Sequence, residues 1–159
     1  MKKLKNINFY KDDAFIDKRG IYWTSWEKKR YKLDFNHDKF SLSKKNVLRG
    51  LHGDRKSYKL VSCVYGEVLL VLINANKDHK EYLRYRSWML TGENRIQVLI
   101  PPNFASAHFC MTNKCLFHYK FSYKGDYPGV KDQFSYKWND KNINFKWPID
   151  KPILSERDK

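Results

Sequence analysis

The chain reads as an all-β domain, a sandwich or barrel of short strands. Three observations predict this. Helical periodicity is scarce, short runs of β-branched and aromatic residues recur, and turn residues close them every eight to twelve positions. With 159 residues and 19.2 kDa, the chain suits a single domain over 1–159 with a real core. Apolar residues make up 42% and aromatics 16%, against only 7 Gly and 5 Pro, which excludes a disordered or collagen-like chain.

The elements follow in order. The first forty residues are polar with scattered aromatics (Phe9, Tyr10, Phe15, Tyr22, Trp23, Trp26). They are too thin to fold alone, so this segment is expected to pack on the barrel or on a partner subunit. One short helix candidate lies near Ser25 to Arg30. Val47-Leu48 leads into Arg49-Gly50-Leu51-His52, and strands are predicted over Lys59–Tyr65 and over Val68–Ile73, the latter a continuous apolar run. Tyr82 to Leu90 alternates apolar and basic residues and turns at Thr91-Gly92-Glu93-Asn94. Arg95–Ile100 is stopped by Pro101-Pro102-Asn103, and Phe109–Met111 and Leu116–Tyr123 complete the barrel core over residues 41–137. Residues 138–159 are loop-rich with aromatics of the buried kind. No internal repeat or low-complexity stretch interrupts the pattern.

Lys plus Arg total 32 against 17 acidic residues, a net charge of +15. The basic residues are spread along the chain and are mostly lysine, with no basic block and no aromatic RNA-binding motif. The excess therefore reads as a solvated surface, with no nucleic-acid partner, although a basic cleft would also suit a polyanionic small substrate such as a nucleotide sugar. The longest apolar run, Val68 to Ile73, is far short of the ~20 residues of a membrane span, and the basic N-terminus develops no apolar leader. Cys63, Cys110 and Cys115 lack metal-ligand spacing and read as free thiols of a reducing, cytoplasmic setting.

Several segments resemble, in order and spacing, the dTDP-4-dehydrorhamnose 3,5-epimerase family of the cupin superfold. Asp17-Lys18-Arg19-Gly20 is similar to its early Asp-x-Arg-Gly, and Ser41-Leu42-Ser43-Lys44-Lys45-Asn46-Val47-Leu48-Arg49-Gly50-Leu51-His52 to its Ser-x-Ser-Lys-x-x-Val-Leu-Arg-Gly-Leu-His signature. Lys59-Leu60-Val61, Gly66-Glu67-Val68, Tyr119-Lys120, Trp138-Asn139-Asp140, Trp147-Pro148 and Leu154-Ser155-Glu156-Arg157-Asp158 follow, so the likeness covers nearly the whole chain. His52-Gly53-Asp54, Cys63 to Glu67 and Tyr123 to Tyr127 look most like a subgroup acting on GDP-linked 4-keto-6-deoxy heptoses.

The resemblance implies a jelly-roll barrel, a homodimer with the N-terminal segment exchanged or packed across it, and no metal or organic cofactor. The implied substrate is a nucleotide-diphospho-4-keto-6-deoxy sugar, processed for surface polysaccharide such as O-antigen or capsule. Inverting a carbon next to a ketone needs a base, a stabiliser for the enolate and an acid on the far face. His52 is the implied base, a group suited to taking a proton at neutral pH, and Asp158 its orienting partner. Lys59 would stabilise the enolate oxygen, and Tyr119 would return the proton. Arg49 and Arg19 would grip the diphosphate, Arg19 from the partner subunit. Lys39, Ser41, His108 and Tyr123 complete the implied substrate-binding set.

The departures fall in the pocket lining. Where the family has Phe-Ala-His-Gly-Phe, this chain reads Phe104-Ala105-Ser106-Ala107-His108-Phe109, and either His108 or Ser106 takes the histidine's place. The family's Gln-x-Asn becomes His37-Asp38-Lys39, its Asp after Gly-Glu-Val-x becomes Leu70, and base stacking falls to Tyr123 or Tyr127. No His-x-His pair occurs, which argues against a metal cupin. The nucleotide (dTDP, GDP or CDP), the sugar, and inversion at C3 alone or at C3 and C5 stay open. A non-catalytic sugar-nucleotide binder and a 4-keto sugar ketoisomerase are the alternative functions.

Overall fold

The structure, a computed structural model, describes Leu4 and residues 7–159. Among the described residues twelve strands carry the fold: β1 Phe9–Lys11, β2 Ala14–Asp17, β3 Gly20–Trp23, β4 His37–Lys44, β5 Leu48–Gly53, β6 Tyr58–Tyr65, β7 Glu67–Asn74, β8 Tyr85–Thr91, β9 Ile96–Ile100, β10 Phe104–Cys110, β11 Lys114–Ser122 and β12 Phe134–Ser135. They form two five-stranded antiparallel sheets, ordered β1-β9-β6-β11-β4 and β12-β5-β10-β7-β8, with β2 and β3 as a separate hairpin. This is the all-β sandwich the strand pattern predicts, and helix is confined among the described residues to three single 3-10 turns.

The two faces of each sheet are separated by alternation. Val61, Cys63, Val98, Ile100, Cys115 and Phe117 of the first sheet meet Val68, Leu70, Leu72, Leu90 and Cys110 of the second, forming the core between the sheets. The outer face of the second sheet presents Leu48, Leu51, Ile73, Ala105 and Phe109, and the C-terminal segment covers it with Trp138, Ile143, Phe145, Trp147 and Leu154. The Trp147 indole N–H donates to the Trp138 carbonyl at 2.8 Å and ties that covering together.

The structure differs from the sequence reading in three places. The helix expected near Ser25 to Arg30 is one 3-10 turn, Lys28–Arg30, whose three basic residues offer no apolar stripe to bury. The N-terminal segment supplies strands of its own: β1 extends the first sheet by pairing with β9, and β2–β3 is a hairpin. Strand β4 was not anticipated from its pattern because its polarity is inverted. Ser41 and Ser43 turn towards the interior, while Phe40 and Leu42 lie exposed on the outer face. Boundaries also move: the strand read as Phe109–Met111 begins at Phe104 directly after the Pro101-Pro102-Asn103 turn, and the one read from Tyr82 begins at Tyr85.

Candidate active site

Register on the first sheet places Lys39, Tyr119 and Val61 in one row across β4, β11 and β6, and Phe121, Lys59 and Ile100 in the next across β11, β6 and β9. Ser41 stands in the row of Phe117 and Cys63. Because Val61, Phe117 and Ile100 are interior residues, Lys39, Ser41, Lys59 and Tyr119 share that face.

The second sheet answers with a local irregularity. Ser106 pairs with His52 and His108 with Arg49, so β10 advances two residues where β5 advances three. The extra residue in β5 lets both ends of Arg49-Gly50-Leu51-His52 face the interior, which strict alternation forbids. Gly50 makes this possible. Its φ is +118°, and a Cβ there would stand 2.8 Å from the Ala107 Cβ. Leu51 is left to point outward, where it is buried beneath the C-terminal segment.

His52 is held at both ring nitrogens. Its Nε2 lies 2.6 Å from Asp158 Oδ1, and its Nδ1 lies 2.9 Å from Ser135 Oγ on the neighbouring β12. One arrangement of protons satisfies this whole chain of bonds. The Arg157 guanidinium can only donate, and it reaches Ser135 Oγ at 3.3 Å. Ser135 Oγ can accept from Arg157 while giving its own proton to Nδ1, and the imidazole proton then sits on Nε2 facing Asp158. Burial would raise the Asp158 carboxyl, but hydrogen bonds from His52 and Ser155 outweigh it and hold the group below the ordinary carboxylate range. Both ring nitrogens of His52 are thus engaged, which fixes the orientation of the imidazole.

Tyr119 and His108 form a second pair, from opposite sheets. The Tyr119 hydroxyl lies 2.9 Å from His108 Nδ1, and Ser41 Oγ lies 3.2 Å from His108 Nε2. His108 is 2% exposed and stacks on Phe117. Burial, aided by the Arg49 charge, pushes its pKa down to about 3, so it is neutral and donates one of its two bonds while accepting the other. Burial likewise pushes the Tyr119 phenol well above its ordinary value, with Arg49 working against it. Arg49 donates through Nε to Ser43 Oγ at 3.0 Å.

Lys59 sits 3.2 Å from Asp54 Oδ2 in a buried ion pair. Further out, Lys39 lies over the Tyr127 ring at 3.8 Å, and Tyr123, Tyr127 and His37 make a cluster of edge-on contacts, with the Tyr123 hydroxyl 3.1 Å from His37 Nδ1. Phe117, Tyr119 and Phe121 connect this cluster to the core as a ladder of rings on β11.

The structure thus brings His52 to Asp158, and His108 to Tyr119 and Ser41, and sets Lys59, Lys39 and Arg49 on the same interior. Of the two alternatives on β10, His108 is the residue bonded to Tyr119, while Ser106 is the backbone partner of His52. Both His108 nitrogens are engaged within the protein, by Tyr119 and Ser41. Arg19 is not brought in. It forks onto Asp17 at the tip of the β2–β3 hairpin, with its side chain 80% exposed. Sequence reasoning missed Ser135 and Arg157 as partners of the histidine, and Asp54 as the partner of Lys59. Ser135 lies on the two-residue strand β12, too short to show a pattern, and Arg157 is masked by its place beside Asp158 in the C-terminal motif. Among the described residues, no group of three His, Cys, Asp or Glu side chains is placed to hold a metal ion.

Comparisons with known proteins agree with this picture. A family model described as dTDP-4-dehydrorhamnose 3,5-epimerase matches residues 1–159. A dTDP-4-dehydrorhamnose 3,5-epimerase of Salmonella typhimurium is 34% identical over 91% of this chain and 83% of its own length. Among solved structures, a dTDP-6-deoxy-D-glucose-3,5-epimerase of Legionella pneumophila in complex with dTDP-4-keto-L-rhamnose superposes with a TM-score of 0.88 at 30% identity, covering 96% of this chain and 84% of that one. A dTDP-4-dehydrorhamnose 3,5-epimerase of Bacillus anthracis with TDP and pyrophosphate bound gives 0.90 at 26% identity, covering 99% and 95%.

Proposed function

Since the chain belongs to the dTDP-4-dehydrorhamnose 3,5-epimerase family, whose members are carbohydrate epimerases, we propose that it inverts C3 of a nucleotide-linked 4-keto-6-deoxy sugar by removing and returning a proton. The observation that carries this reading is the placement of the two proton carriers on opposite sheets. His52 belongs to the second sheet and Tyr119 to the first, so a sugar ring lying between them has a base on one face and an acid on the other.

In this mechanism the Ser135 hydroxyl turns aside from His52 Nδ1, which takes the C3 proton while the C–H electrons move into the enolate at C3, C4 and O4. Asp158 supports the imidazolium that forms. The Lys59 ammonium stabilises the charge on O4, where a fixed cation does most as charge develops. Tyr119 then protonates C3 from the other face, and the field of Arg49 favours the phenolate left behind. Solvent restores both groups. Arg49 and Lys39, with Arg19 of a partner subunit, serve the diphosphate, and the cluster of Tyr123, Tyr127 and His37 offers a face for the base.

The relatives reported above are named for dTDP sugars, and the likeness to enzymes of GDP-linked heptoses has no counterpart among them. dTDP is therefore the first nucleotide to test, and inversion at C5 as well as C3 the first question about the product. A homodimer fits the outer face of the first sheet, where Phe40, Leu42, Val64 and Tyr65 are exposed, and the hairpin residues Phe15, Ile16 and Tyr22, also exposed. No described helix is long and apolar enough to cross a membrane, and the three free thiols suit a cytoplasmic enzyme supplying surface polysaccharide synthesis.

The test is incubation of the protein with dTDP-, GDP- and CDP-linked 4-keto-6-deoxy sugars in deuterated water, read by mass. One deuterium gained marks exchange at C3 alone, and two mark exchange at C3 and C5. Absence of exchange with every sugar overturns the reading.

A further inference from the structure

Lys59 is a problem in electrostatics. It is 9% exposed, and burial alone drives its pKa down from the ordinary lysine range towards the neutral amine, which would be useless against a developing enolate. Its neighbours offer little help. Across the ladder it faces Ile100 on β9 and Phe121 on β11, and the opposite sheet brings Val68, Leu70 and Leu72 into the core, none of them charged. Asp54 is the one charged group with a resolved effect on the ammonium.

Asp54 is itself built in. It is 3% exposed, and its two carboxylate oxygens have separate tasks. Oδ1 accepts the backbone N–H groups of Lys56 at 2.9 Å and Ser57 at 2.6 Å, closing the turn between β5 and β6. Oδ2 faces Lys59 Nζ at 3.2 Å. Burial raises the Asp54 carboxyl, but the Lys59 charge and the two amides outweigh it, so the group stays ionised. The same turn follows directly from His52, so one short segment supplies the base and then the counter-charge of the enolate stabiliser.

We propose that Asp54 is a positioning residue of the reaction, whose carboxylate, fixed by the β5–β6 turn, keeps the buried Lys59 ammonium charged and aimed. The part of this inference that concerns catalysis rests on the epimerase reading. The pairing of the two groups does not.

Asp54→Asn separates the two tasks. Its amide oxygen still accepts from Lys56 and Ser57, so the turn survives, while the charge facing Lys59 is gone. With lysine labelled at Cε and the Lys59 resonance identified by its loss in Lys59→Met, the deprotonation midpoint of Lys59 should fall by at least one pH unit in Asp54→Asn. An unchanged midpoint overturns the proposal. Lys59→Met gives a second reading that holds even if Asp54→Asn does not fold: by reciprocity, the Asp54 carboxylate should titrate at higher pH without its partner. A midpoint that stays put overturns it too.

With dTDP-4-keto-6-deoxyglucose as substrate, Asp54→Asn should shift the alkaline limb of kcat to lower pH and leave KM within threefold. A loss of kcat equal at every pH, with KM raised, would mean that Asp54 only shapes the pocket. The titrations need no turnover. A wild-type protein inactive on every sugar therefore condemns the epimerase reading alone, whereas uncoupled titrations in an active enzyme condemn this inference alone.

Discussion

The two sheets of this sandwich treat their outer faces in opposite ways. The second sheet is roofed by its own chain: Leu48, Leu51 and Ile73 are fully buried or nearly so beneath Trp138, Ile143, Phe145 and Trp147. The first sheet leaves Phe40, Leu42, Val64 and Tyr65 in the open, with Tyr65 65% exposed. Both faces carry large apolar side chains, and at these positions the difference lies in what the chain supplies to cover them. The covering also has a second use. The segment that roofs the second sheet continues into the 3-10 turn Glu156–Asp158 and delivers Asp158 to His52, so the covering of the sheet and the partner of His52 are carried by one stretch of chain.

This contrast can be broken most severely at the covered face. Phe109 is 3% exposed and packs against Trp147, so Phe109→Ala should cost about 3–5 kcal/mol in chemical denaturation. A cost below about 1 kcal/mol would show that the C-terminal covering adds little. The interior adds a pH dependence. His108 has its pKa depressed on folding, so the unfolded chain binds the extra proton between about 3 and the ordinary histidine value. The stability His108 confers is complete above the unfolded value and drains away as pH falls below it. Between pH 6.5 and 5 the wild type should lose about 2 kcal/mol more than His108→Gln, measured by urea unfolding. Equal losses would mean that the imidazole protonates freely in the folded state.

The legible part of the molecule is the part written as apolar, β-branched runs between turn residues. The predicted strands over Lys59–Tyr65 and Val68–Ile73 correspond to β6 and β7 because their buried faces are written in Val, Leu and Ile. Strand β4 was opaque, since its polar residues face inward and its apolar ones outward. The pairing of His52 with Asp158 was anticipated only through family resemblance. The two residues are 106 positions apart, and no local pattern links them. Asp54 was overlooked for a related reason: a carboxylate in a turn has an ordinary explanation, and only its distance to Lys59 reveals the second task.

Smaller perturbations sharpen the comparison. Trp147→Phe leaves an aromatic ring but loses the pyrrole half of the indole and the hydrogen bond to the Trp138 carbonyl, and should cost about 1–3 kcal/mol. On the opposite face, Tyr65→Lys should change the folding stability of a single chain by no more than about 0.5 kcal/mol. The same substitution should convert a dimer to monomer in sedimentation at micromolar concentration. A tight dimer in Tyr65→Lys would place the partner elsewhere.

The central claim is that base and acid act from opposite sheets, and Tyr119→Phe in deuterated water tests it most directly. The ring remains to pack, the enolate still forms through His52, and reprotonation can come only from the face that lost the proton. The variant should therefore incorporate deuterium at C3 of dTDP-4-keto-6-deoxyglucose with configuration retained, while net epimerisation falls by roughly the 10²–10⁴-fold typical of losing an acid or base catalyst. Inversion at the wild-type rate would contradict the account and remove Tyr119 from the role of acid.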